Sequence, residues 1–385
     1  MQRPHASDEI RIGVIGLGFM GRTHVAAIDS ARRAGLPCRL VAVCDGDERR
    51  RRGESVAAGN LGGGAAERLF DPAAVRGFAE PEALLEDDGV DLVNICTWTD
   101  SHVPLALAAL AAGKHVIVEK PVALQSAQVR RVAEAAAKSD RLCMPAMCMR
   151  WWPGWPWLRD AIRAGRYGPL RSASFTRIGP APGWNDFYAD ESRSGGALFD
   201  LHVHDVDFIR WCFGAPSSLC AGGDARHLSA SFRFAGGPLL VVAEGGWSLQ
   251  PAAGFRMRYL ACFEEATVEF DLARPGALLV HCGERTESIA LEGRSGYEGE
   301  VMAAIAAIRS GVVEERAALP TMEDALAVTE ILEAERASLR SGTAVELDGP
   351  HGRARSQEPA ADAAERPHGA LGRRTPPRAE PRGRA

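Results

Sequence analysis

The chain has 385 residues, with 45 basic against 50 acidic side chains and a formal net charge of −5. That length suits two domains, because a single hydrophobic core stops growing near roughly 250–300 residues. The near balance of charge gives no electrostatic case for nucleic acid or an anionic membrane, and no apolar run approaches the ~20 residues a bilayer requires.

Residues 1–16 hold no apolar run between their charges and the first strand signal, so no signal peptide is expected. Nine cysteines are scattered without CxxC or Cys/His spacing, which reads as free thiols in a reducing, cytoplasmic setting. Residues 9–15, EIRIGVI, lead directly into GLGFMG at 16–21, predicting a strand, a glycine turn and a helix starting near Gly18. In such a turn Gly16 permits the tight bend, Gly18 lets a pyrophosphate approach the backbone, and Gly21 lets the helix pack on the strand.

A second apolar strand, 39–45, ends in Asp45, where a carboxylate would accept the adenosine ribose hydroxyls and repel a 2′-phosphate. NAD is therefore expected over NADP. The arginines at 49–52 pull the other way, and are read as a solvated helix turn. Residues 54–77 include GNLGGGAA and read as loop. Apolar strands at 91–96 and 115–118 bracket an alanine-rich helix, a βαβ unit that puts Thr97 and Glu119 on the carboxyl edge of one parallel sheet.

Residues 142–177 open with a strand-like stretch and then crowd Trp151, Trp152, Trp155 and Trp157 beside Arg150. Such rings can stack on a sugar face, and arginine can bind hydroxyls or a carboxylate; packing at the domain junction is the plainer expectation for the rings. Within 195–213, GGALFDLHVHDVDFIRWCF, helical spacing puts Asp200, His204, Asp207 and Trp211 in one row. Alternating apolar segments near 228–234, 239–247, 256–263, 266–272 and 277–282 predict antiparallel strands. Helices are expected at 298–310 and 322–341, with Thr321 as N-cap and Gly342 as stop. Residues 350–385 are rich in Pro, Ala, Arg and Gly and are expected to be disordered.

The glycine turn, Glu119-Lys120-Pro121 after an apolar strand, and Gly195-Gly196 leading to Asp200 and His204 together resemble the Gfo/Idh/MocA family of NAD(P)-dependent oxidoreductases over about residues 8–348. The resemblance implies an α/β Rossmann domain at 8–145 and an α+β domain at 146–348 with an open, mainly antiparallel sheet supporting homo-oligomer contacts, as a dimer or tetramer. It also implies a cleft between them that takes a sugar, inositol or related polyol. Lys120 matches the lysine of the family's EKP motif, and Asp200 and His204 match the acid and histidine of its second signature. The chain departs from the family in carrying Thr97-Trp98-Thr99 where Thr-Pro-Asn is common, and His202 where many members have glycine.

Oxidising a secondary alcohol requires a base for its proton while the carbon gives hydride to the nicotinamide, which histidine suits with a reference pKa near ~6.5. His204 is the candidate base, Asp200 would orient it or hold a neighbouring hydroxyl, and Lys120 would stabilise the charge developing on the reacting oxygen. The candidate cofactor set is Gly16, Gly18, Phe19, Met20, Gly21, Asp45, Thr97, Trp98, Thr99, His102, Glu119, Lys120 and Pro121. Arg150, Trp184 and His202 are the candidate substrate residues. No metal is assigned, since a metal would want His202 and His204 convergent, as on a strand. An NAD-dependent glycosidase and a non-catalytic NAD-binding regulator stay open beside the dehydrogenase.

Overall fold

The β-branched runs of the first third become a six-stranded sheet: β1 (Ile10–Ile15), β2 (Cys38–Cys44), β3 (Arg76–Phe78), β4 (Leu92–Ile95), β5 (His115–Val118) and β6 (Cys143–Pro145), in the order β3-β2-β1-β4-β5-β6. In this computed structural model residues 9–54, 68–183, 186–312, 315, 319–349 and 353–354 are described. Every pairing in the sheet is parallel. All residues of β4 and β5 are buried, as in a parallel sheet covered on both faces. Strand order reverses between β1 and β4, which opens a crevice at their carboxyl ends. Gly16 makes the turn there with φ +86, and a Cβ on Gly21 would lie 1.8 Å from the Gly16 oxygen, so this contact needs both glycines. β3 has only three residues, too few for an alternating pattern to announce it.

The later strands build a ten-stranded sheet. They are β7 (Leu170–Ile178), β8 (Ser218–Asp224), β9 (His227–Arg233), β10 (Leu240–Gly246), β11 (Arg256–Phe263), β12 (Thr267–Asp271), β13 (Leu278–Cys282), β14 (Arg285–Ile289), β15 (Val345–Asp348) and β16 (Arg353–Ala354). The order is β14-β13-β12-β11-β7-β10-β9-β8-β15-β16, antiparallel apart from the β7–β10 pair. β9 to β13 fall on the five predicted segments, whereas β7 and β8 alternate with serine, threonine and glycine and carry a weak apolar signal. One face of the sheet is buried around Trp155, Phe175, Phe208 and Tyr259, under the helices Val203–Phe213 and Met322–Ser341.

Two late helices return to the first sheet. Val301, Ala304 and Ile305 of Gly296–Ser310 share a core with Ile12, Val14 and Val25. Met322, Ala325 and Leu326 share one with Val116, Val118 and Val129. The span 146–348 is therefore crossed by the Rossmann core, a return that local periodicity does not encode. Capping boxes at Ser295 and Thr321 start these helices, and Gly342 ends the second at φ +67. The glycine-rich segment 55–67 and, apart from 353–354, the tail at 350–385 lie outside the described residues. Among the described residues no helix is long and apolar enough to cross a membrane.

Arg177 on β7 and Asp205 on the helix Val203–Phe213 form a buried bidentate pair, with nitrogen–oxygen distances of 2.9 and 3.1 Å. Asp205→Ala would leave a buried guanidinium unpaired and is expected to cost about 3–5 kcal/mol in urea unfolding, most of it recovered in the Arg177→Met/Asp205→Leu double variant.

Candidate active site

The crevice at the carboxyl edge of the parallel sheet opens into a cavity of about 630 Å³ that runs from Gly16, Gly18 and Asp45 to Lys120, Asp200 and His204. At one end the helix Phe19–Arg33 starts from Gly18 with no side-chain cap, and a Cβ built on Gly18 would meet nothing within 4 Å among the described residues. Uncapped N–H groups beside open space suit a phosphate anion. Asp45 is fixed by the same turn, accepting from the backbone N–H of Leu17 at 2.8 Å and of Asp47 at 2.9 Å. These residues fit a dinucleotide. The arginine run is only partly a solvated turn: Arg50 lines the cavity 3.5 Å from Asp45, and Arg51 donates to the Asp45 and Gly46 carbonyls.

At the other end Lys120, which follows β5, donates from Nζ to the main-chain oxygen of Asp200 at 2.6 Å and to its Oδ1 at 3.0 Å. Gly195 at φ +74 and Gly196 at φ +67 start the short helix Gly196–Asp200; a Cβ on Gly196 would press on the Ala225 carbonyl at 2.5 Å. The helix ends at Asp200, and a new one begins at Val203. That break separates the expected row. Asp200 is spent on Lys120, and the nearest partner of His204 is the Cys148 thiol, with Nδ1 4.0 Å from Sγ. Asp200 thus positions Lys120, not the imidazole. Burial, then the charges of Lys120 and Arg177, hold His204 well below the ordinary histidine range, so it rests neutral.

Of the other candidates, Phe19, Met20, Thr97, Trp98, Thr99, His102 and Glu119 line the cavity, whereas Gly21 and Pro121 stand behind it. His102 is turned onto main chain, with Nδ1 2.9 Å from the Pro121 oxygen and Nε2 3.1 Å from that of Thr97; burial lowers its pKa, and the neutral ring donates to one of the two. Arg150 does not reach the cavity. The residue is 7% exposed, and its guanidinium pairs with Asp207 at 2.6 and 3.1 Å and with Asp324 at 3.2 Å. His202 also faces away, fully buried with Nε2 3.3 Å from Glu335; burial, the largest single influence, lowers its pKa, but the Glu335 charge and hydrogen bond together with the Asp205 charge raise it on balance. Trp211 lies under Arg159, whose guanidinium is 3.9 Å from the ring centre. Trp184 lies outside the described residues.

The tryptophans divide as well. Trp155 is core, Trp157 packs on Tyr167, and Trp152 lines the cavity against Tyr297. The walls add residues that no motif announced: Arg177, Phe187, Tyr188, Phe255, Met257 and Glu300. They come from strands, a loop, a short 3-10 turn and the helix Gly296–Ser310, far apart in sequence. Trp98 stacks on Phe187 with centroids 4.5 Å apart, and Tyr188 abuts both rings. Behind the wall, His24 bonds Glu119 at 3.0 Å and Asn94 at 2.9 Å. His24, Cys96 and Glu119 have ligand-like spacing, but the histidine is engaged at both nitrogens and burial raises the Cys96 thiol well above its usual range.

A family profile described as an oxidoreductase family with an NAD-binding Rossmann fold matches residues 10–147, and a GFO/IDH/MocA C-terminal domain matches 155–243, together more than half of the chain. Myo-inositol 2-dehydrogenase of Thermotoga maritima is 31% identical over 208 residues, 53% of this chain and 55% of the relative. The chain thus spans about half of that relative's length. Inositol 2-dehydrogenase 1 of Saccharopolyspora erythraea is 28% identical over 355 residues, 88% of this chain and 96% of the relative. Among solved structures, a levoglucosan dehydrogenase in complex with NADH and levoglucosan shares the fold with a TM-score of 0.72 at 19% identity, over 88% of this chain and 99% of that one.

The buried position of Arg150 makes it a brace. Arg150→Lys keeps the charge but loses the fork that grips Asp207, and is expected to cost about 2 kcal/mol or more in urea unfolding while dinucleotide affinity by calorimetry stays within about threefold.

Proposed function

The chain belongs to the Gfo/Idh/MocA family of oxidoreductases, with its NAD-binding Rossmann domain and its own C-terminal domain, and on that premise we propose that it oxidises a secondary alcohol of a sugar, inositol or related polyol with NAD. The observation that carries this reading is the convergence of Lys120, Asp200 and a neutral His204 in the cavity that begins at the glycine turn. Bound NAD supplies the hydride acceptor. Lys120 holds two of its three N–H groups on Asp200, which leaves the third for the reacting oxygen. The positive charge stabilises the alkoxide as it forms. His204 takes the hydroxyl proton, and it can do so because it enters the reaction unprotonated. The rings of Tyr188 and Phe255 offer apolar faces for the C–H side of a sugar or cyclitol ring.

NAD is favoured over NADP because a carboxylate at Asp45, at the end of the second strand, would accept the ribose hydroxyls and repel a 2′-phosphate, and Arg50, the cation beside it, is drawn onto Asp45 and Asp47. The cysteines are free thiols, which suits a reducing cytoplasm. The open face of the ten-stranded sheet carries exposed Leu240 and Leu260 and supplies the contact between copies in a homo-oligomer.

A panel of inositols, aldoses and linear polyols read by NADH absorbance is expected to give turnover with at least one ring polyol. On that substrate Lys120→Ala lowers kcat by about 10²–10³ and His204→Asn by about 10²–10⁴, with NAD affinity little changed. Turnover by Lys120→Ala within a few-fold of wild type removes the assignment.

A further inference from the structure

One ionisable group on the cavity wall has no part in the proton-transfer site. Glu300 sits one helical turn after Tyr297 on the helix Gly296–Ser310, is 0% exposed and lines the cavity. Neither of its carboxyl oxygens has a hydrogen-bond partner among the described residues. Buried polar atoms in folded proteins are nearly always paired, so an orphaned carboxyl on a cavity wall calls for a partner from outside the chain.

The groups around Glu300 fix the form it takes. Glu119 accepts from His24 Nε2 at 3.0 Å and from the Lys120 backbone N–H at 3.1 Å. Asn94 donates to the other ring nitrogen of His24, so the single ring proton points at the carboxyls. Glu300 lies 3.8 Å from that same Nε2, beyond hydrogen-bond reach. The remaining neighbours, Cys96, Cys148 and Tyr297, are thiols and a phenol that burial keeps protonated. Two carboxylates beside one imidazole cannot both hold charge in a buried site. Glu119 has both donors and keeps the charge; burial and then the Glu119 charge raise Glu300 well above the carboxylate range.

A protonated carboxyl presents an O–H donor and a C=O acceptor side by side. Its chemical complement is a primary carboxamide, whose oxygen accepts and whose N–H donates. The nicotinamide ring of NAD carries that group, and Glu300 stands with Glu119, the residue before Lys120, at the same His24 nitrogen and lines the same cavity as Cys148, whose thiol is 4.0 Å from His204. We infer that Glu300 binds the nicotinamide carboxamide through a paired O–H···O and N–H···O contact, holding the ring with one face toward the substrate carbon at Lys120 and His204. The inference rests on the reading of the cavity as an NAD site. It also explains the buried His24–Asn94–Glu119 network, which keeps the negative charge on Glu119 so that Glu300 retains its proton.

The test is calorimetric binding of NAD and of its acetylpyridine analogue, in which a methyl ketone replaces the carboxamide, to the full chain and two variants. The ketone keeps the acceptor and loses the N–H. Wild type is expected to prefer NAD by roughly tenfold, the size of one buried hydrogen bond. Glu300→Gln, itself a donor–acceptor pair, keeps the preference. Glu300→Met, of similar length and apolar, narrows it to within about twofold and, having lost an orphaned polar group, unfolds at no lower temperature than wild type. A wild-type preference retained in folded Glu300→Met, lost in Glu300→Gln, or missing from wild type overturns the inference while leaving the NAD site standing. If wild type binds neither dinucleotide, the cofactor reading fails and takes this one with it.

Discussion

Lys120 reaches from the end of a parallel strand to the end of a helix in the other half of the molecule, and two acceptors on Asp200 hold its ammonium at 2.6 and 3.0 Å. The geometry of the cavity depends on that contact. It fixes the distance between the cofactor edge of the first sheet and the helix pair that carries Asp200 and His204, and it directs the remaining N–H of Lys120 at ligand space. It also sets the state of the histidine: with Lys120 and Arg177 as neighbours and burial shutting out solvent, a protonated His204 would be a third cation in a buried site. In the proposed alcohol oxidation, a neutral imidazole and an anchored ammonium would serve as proton acceptor and charge stabiliser.

The helix behind this contact is held by charge inside the fold. Asp205 pairs with Arg177 and Asp207 with Arg150, while Arg150 and Arg210 share Asp324 on the last long helix. His202 and Glu335 make a further buried pair beside them. Ion pairs in an apolar core contribute little net stability, but breaking one leaves a charge without a partner, so each pair penalises any other placement of the helix. The acids and histidines of 202–207 thus divide into one residue that lines the cavity and several that hold the helix carrying it.

Much of this was legible in the sequence. The strand–glycine–helix order marked the cofactor end because its steric demands are local: Gly21 meets Gly16 five residues away. The assignments of Lys120, Asp200 and His204 to one cavity rested on a resemblance, which brought together residues 80 apart that periodicity cannot join. Helical spacing failed at 201–202, where the chain breaks between two helices, and so Asp200 left the row while His204, Asp207 and Trp211 stayed on one helix. Arg150 and His202 looked functional by residue type, yet their partners lie far along the chain, Asp207 and Asp324 57 and 174 residues from Arg150 and Glu335 133 from His202. Glu300 carried no signal at all, since a glutamate near a helix start reads as a cap or a solvated charge until the sheet it packs against is known.

The most direct test is an NMR titration of the His204 imidazole nitrogens in the full chain, in wild type and in Lys120→Met. With the imidazole held neutral by burial and by the Lys120 charge, wild type titrates well below the ordinary histidine range, and the variant titrates at a higher pH than wild type. An inflection near ~6.5 in wild type that does not move in Lys120→Met would contradict the account.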